Sequence, residues 1–104
     1  MAVAPDNIRK IAQRALDVRE KLPPSRRAGT LVGLARANQL AKGENLSNET
    51  LVRMRSYLLR AKKNYREAKA QGKTRENSKA ILAYELWGST PALNWVNKVL
   101  KDKQ

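Results

Sequence analysis

The sequence predicts an all-α protein, a compact bundle of about five helices forming one domain over residues 1–104. Three observations carry this. Apolar residues recur at spacings of three and four. No β-branched run or period-two alternation suggests a strand. Prolines, glycines and capping residues cut the chain into helix-sized segments.

The first helix is expected from about Asp6 to Lys21. Pro5 stands where a first-turn proline is tolerated. Ile8, Ile11, Ala12, Ala15, Leu16 and Arg19 keep helical spacing, and Pro23 and Pro24 stop it because neither donates a backbone hydrogen bond. A basic loop with Arg26 and Arg27 follows. Thr30 is the candidate N-cap of a second helix from Leu31 to about Lys42, with Leu31, Leu34, Ala35, Ala37 and Leu40 as its apolar positions. Gly33 inside it points to a close approach by another element, and Gly43 ends it.

Ser47 caps a long third helix from Asn48 to about Gln71. Leu51, Met54, Leu58, Ala61, Tyr65 and Ala68 form its apolar stripe, and Gly72 closes it. After a polar loop, Asn77 or Ser78 caps a fourth helix reaching Trp87. Thr90 and Pro91 are read as cap and first turn of a fifth helix, from Pro91 to about Lys101, with Leu93, Val99, Leu100 and, in part, Val96 inward. Trp87 and Trp95 bracket the turn between the last two helices and are expected to pack together. Tyr65 and both tryptophans read as core; Tyr57 and Tyr84 are left open between core packing and base stacking.

The chain carries 22 Lys and Arg against 9 Asp and Glu, a net charge of +13. That much like charge works against the compact state, so an anionic partner is expected. With no cysteine there is no disulfide, no thiolate zinc site and no cysteine nucleophile. With no histidine the commonest neutral-pH acid–base is missing too. The carboxylates are scattered, so neither enzyme chemistry, a metal nor a cofactor is expected. The first residues contain no apolar h-region, and no 18-residue apolar run exists, so a cytoplasmic rather than secreted or membrane setting is expected.

The positive charge concentrates. Nine basic residues fall between Arg53 and Arg75: Arg53, Arg55, Arg60, Lys62, Lys63, Arg66, Lys69, Lys73 and Arg75. At 100° per residue, Arg55, Lys62, Arg66 and Lys69 line one side of the apolar seam, and Arg53, Arg60 and Lys63 lie on the outer side. The signs do not alternate, so intrahelical ion pairs do not explain them. The helix would be about 35 Å long, close to one turn of duplex DNA. The expectation is nucleic-acid binding through phosphates by Arg53, Arg55, Arg60, Lys62, Lys63, Arg66 and Lys69. Arg26, Arg27 and Arg36 are candidates for a second patch.

The segment LARANQLAKGENLSNETLVRMRSYL also has the order of a helix–turn–helix, with Leu46 anchoring the turn. It would aim Asn48, Glu49, Val52, Arg53 and Ser56 at base edges. Its turn is longer than the usual three or four residues, and any αα-hairpin would show the same apolar spacing.

Gly29-Thr30, Gly33-Leu34-Ala35-Arg36-Ala37, Leu46-Ser47, Arg53-Met54 and Ser56-Tyr57, with the later Leu86-Trp87-Gly88 and Trp95, resemble a block in small proteins of tailed bacteriophages, including cyanophages. The resemblance covers roughly residues 8 to 100. It implies a viral origin, a host-cytoplasmic setting and a DNA-associated role, and carries over no catalytic residue. The competing expectation is a phage protein that docks on an acidic host or virion protein.

Overall fold

The structure, a computed structural model, describes residues 2–102. Its helices are α1 (Asp6–Lys21), α2 (Leu31–Lys42), α3 (Asn48–Ala70), α4 (Lys79–Leu86) and α5 (Ser89–Asp102), with a 3-10 turn at Pro24–Arg26. Only Trp87 and Gly88 separate α4 from α5, so this pair is equally one sharply bent element. The radius of gyration is 13.0 Å, as expected for a compact chain of this length.

Local chemistry explains most of the boundaries. The hydroxyls of Thr30, Ser47 and Ser78 accept hydrogen bonds from the backbone N–H of Gly33, Thr50 and Ile81, capping α2, α3 and α4. At the end of α2, the N–H groups of Gly43 and Glu44 return to the carbonyls of Leu40 and Gln39. Gly72 and Lys73 do the same for Lys69 and Ala68 at the end of α3. Each pair of bonds satisfies carbonyls that the helix leaves unpaired.

The fifth helix starts earlier than expected. Gly88 has φ +95° and Ser89 φ +62°, two successive left-handed residues that turn the chain through the corner. Gly88 is required there because an added Cβ would lie 2.5 Å from the Cβ of Ala92. Thr90 is therefore not a cap. Its hydroxyl lies 3.1 Å from that of Tyr84, inside the protein.

α4 is the hub. Its sequence KAILAYEL is largely apolar, as suits a helix packed against by several others. α1, α2, α3 and α5 all pack against it. The core joins Ile8, Ala12 and Ala15 of α1, Leu40 of α2, Leu51, Met54 and Leu58 of α3, Leu82, Tyr84 and Leu86 of α4, and Val96 of α5.

α2 buries Ala37 and Leu40 as expected, but its inward face is turned away from Leu31 and Ala35. Gly33, Arg36, Ala37 and Leu40 point inward, while Ala35 is exposed and Leu31 is 87% exposed. Trp87 sets this orientation. Its indole Nε1 would lie 3.0 Å from a Cβ at position 33, so only glycine lets α2 approach this closely. The ring of Trp87 stacks on Tyr57 at 4.3 Å, not on Trp95, which lies half-buried against the core. Tyr65 and Tyr84 stack at 4.4 Å, so the tyrosine left open at 84 is a core residue.

α2 packs chiefly on α1, and α3 on α4 and α5; α2 and α3 share little direct contact. The residues between them are held elsewhere. Leu46 is buried, and its backbone pairs with Ala2 in an isolated bridge, with N–H to O distances of 2.8 and 2.9 Å.

Candidate functional site

Helix α3 spans 23 residues, about 35 Å of axis. Its apolar stripe is fixed on α4 and α5, which leaves the rest of its circumference to solvent. Arg53, Arg60, Lys63, Arg66 and Lys69 are exposed, and Arg55 and Lys62 are half-buried at the edge of the seam. The structure thus brings all seven expected contacts onto one helix. The sequence NETLVRMRSYLLRAKKNYREAKA supplies only two acids, Glu49 and Glu67, against them.

Few of these cations have an internal partner. Arg53 meets Glu49 at 2.9 Å, but both side chains are well exposed, and such surface pairs contribute little. Arg60 donates through Nε to the Ser56 carbonyl at 3.2 Å, which leaves its terminal NH2 groups free. Among the described residues, Arg55, Lys62, Lys63, Arg66 and Lys69 make no hydrogen bond or ion pair within the protein.

The proposed second patch does not assemble. Arg36 is buried, 8% exposed. Its guanidinium lies 5.5 Å from the centroid of the Trp87 ring and donates to Gln39 Oε1 at 2.6 Å, while its Nε has no partner. Burial first, and the positive charge of Arg53 second, lower its pKa. The cation is held by an aromatic face and an amide, so Arg36 is a packing residue and not a surface phosphate contact.

Arg27 is exposed but engaged. Its Nε donates to the carbonyls of Leu22 and Arg19 at 2.9 and 3.1 Å, and its Nη2 donates to that of Glu20 at 3.0 Å. These carbonyls lie at the end of α1, where that of Arg19 already accepts the Leu22 N–H and Arg27 adds the remaining bonds, so Arg27 is a C-terminal cap. Arg19 completes the clasp by donating from Nε to the Ala28 carbonyl at 2.9 Å. Arg26 is exposed on the 3-10 turn and borders a hollow lined by Glu76, Asn77, Ser78 and Lys79.

Arg75 also leaves the basic run. It forms a two-pronged pair with Glu85, Nε to Oε1 at 2.7 Å and Nη2 to Oε2 at 3.0 Å, with Glu85 buried in α4. The hydrogen bond that Arg75 donates to Glu85 is the largest cause raising the Arg75 pKa. One signal in the sequence pointed to this pair. Glu85 is the sole acid in a largely apolar helix, and a buried carboxylate needs a partner.

One further feature lies beside the basic face. Tyr57, Arg60, Ala61 and Asn64 of α3 and Ala80 and Ala83 of α4 line an open cleft of about 440 Å³. Tyr57 is half-buried there, and burial raises its pKa against the opposing charge of Arg60.

No group of three or more acids, histidines or cysteines that would hold a metal ion occurs among the described residues. Comparison of the chain with family models, curated proteins and solved structures finds no match.

Proposed function

We propose that this protein is a non-catalytic nucleic-acid-binding protein, with DNA the principal target, that lays the outer faces of α3 along the phosphate backbone. The carrying observation is the set of unpartnered cations on one rigid helix: Arg55, Lys62, Lys63, Arg66 and Lys69, joined by the free NH2 groups of Arg60 and the exposed Arg53. Arginine suits this role because its planar fork bonds two phosphate oxygens at once. The resemblance to small tailed-phage proteins supports the same reading, with a viral origin and action in the host cytoplasm. No described helix is long and apolar enough to cross a membrane.

Helix–turn–helix reading of a duplex would use Asn48, Glu49, Val52, Arg53 and Ser56, all exposed on the first turns of α3. The small contact between α2 and α3 weighs against that mode, and backbone tracking needs no such pairing. A mobility-shift assay at low salt with duplex DNA, single-stranded DNA and RNA tests the proposal. Retarded complexes are expected, and no shift with any of the three rejects it.

A second reading, docking on an acidic host or virion protein, is favoured by one observation. Val52 and Leu59 are 42% and 56% exposed on the flank of α3 that also carries Arg55, Lys62 and Arg66. Phosphates have no use for exposed leucine, whereas a protein interface does. Replacing Leu59 with serine would weaken protein docking and leave nucleic-acid affinity unchanged.

A further inference from the structure

We infer that the cleft between α3 and α4 takes an unpaired nucleobase, so that the preferred target is a single strand. This rests on the nucleic-acid reading above and specifies its ligand. The methyl groups of Ala61, Ala80 and Ala83 line the cleft, an apolar surface of the kind a base face covers. One wall is Tyr57, whose ring is backed by Trp87 at 4.3 Å and so held in place. Its hydroxyl and the side-chain amide of Asn64 make no hydrogen bond within the protein. An amide carries both donors and an acceptor and matches the mixed edge of a base. Arg60 stands at the rim with its NH2 groups free, suitably placed for the phosphate of the same nucleotide.

The charge around the cleft selects the occupant. Arg60 is its only charged lining residue, with no carboxylate among the others. Arg53 and Lys63 continue the positive surface on the outer side of α3. The bases of a duplex are stacked and paired and cannot enter a side cleft; those of a single strand can swing out and stack on an aromatic wall.

The test titrates the full chain into labelled oligo-dT, oligo-U and a hairpin duplex of equal phosphate number at low salt. One or both single strands should bind at least about tenfold tighter than the duplex. Ala80→Leu fills the cleft without changing charge, and Asn64→Ala removes the edge contact. Each should cut single-strand affinity by several-fold while duplex affinity holds, with thermal melts confirming that both variants fold. Equal affinity for duplex and single strands, or an undiminished preference in Ala80→Leu, overturns this inference and leaves the phosphate-binding proposal standing. Absence of binding to all three probes overturns both together.

Discussion

The connection between α1 and α2 and the exposed face of α3 are both rich in arginine, and they use it in opposite ways. Around the connection, Arg19 and Arg27 bond carbonyls and Arg36 lies under Trp87. On α3, the guanidinium and ammonium groups of Arg55, Lys62, Lys63, Arg66 and Lys69 make no hydrogen bond or ion pair among the described residues. The helix end and the proline-rich loop expose carbonyls, and a flexible arginine reaches them. α3 pairs most of its own carbonyls along the helix, so apart from the Arg60 Nε bond to Ser56 its cations find no such use. A count of positive charge therefore overstates an interface, and the acceptors available nearby decide which cations remain for a partner.

Substitutions that separate stability from binding distinguish the two groups of arginines. The largest stability effect is expected at Arg75. Arg75→Ala leaves Glu85 buried without its partner, and should cost about 3 kcal/mol in denaturant unfolding without changing nucleic-acid affinity per folded molecule. Arg27→Ala comes next. Loss of the cap on α1 should cost about 1 kcal/mol, with the salt dependence of binding intact; a shallower salt slope in this variant would place Arg27 in the interface. Arg36→Met keeps an unbranched chain against Trp87 and removes the unpartnered Nε. It should stay within about 1 kcal/mol of the parent in stability and bind equally well.

The smallest effect concerns pH. Burial raises the folded-state pKa of Tyr57 above its ordinary 10.0. A raised pKa means the unfolded chain loses this proton first as pH rises. The contribution is therefore complete below pH 10 and declines above it, until the folded group also titrates. Melting temperatures compared at about pH 9 and about pH 11 should fall slightly less in Tyr57→Phe than in the parent. An identical fall would show that Tyr57 feels no such burial.

Much of the fold was visible in the residues themselves, because capping and proline stops are local. Asp6 to Lys21 and Leu31 to Lys42 are both the expected and the observed bounds of α1 and α2. The inward face of α2 was visible only in part: Ala37 and Leu40 are buried as expected, Leu31 and Ala35 are not. Leu31 and Leu34 suggested one face, but Trp87, far along the chain, packs against Gly33 and fixes the other. That same long-range contact buries Arg36, which by sequence is indistinguishable from a surface arginine. The left-handed Ser89 is equally hidden, since the corner at Gly88 forces it. The basic stripe of α3 was readable because its seven cations and its apolar seam share one helical period. The cleft beside it was not, because it needs the alanines of α4 placed against Tyr57 and Asn64.

The most direct measurement is the salt dependence of binding for the parent chain beside an Arg60→Ala/Lys63→Ala/Arg66→Ala variant. For the parent, log affinity should fall linearly with log salt, with a slope of about −0.9 per phosphate contacted on duplex DNA and about −0.7 on a single strand. The triple variant, with its fold unchanged, should show a slope shallower by about three such contacts. A parent affinity indifferent to salt, or a triple variant with the parent's slope, would contradict the assignment of α3 as the phosphate-binding face.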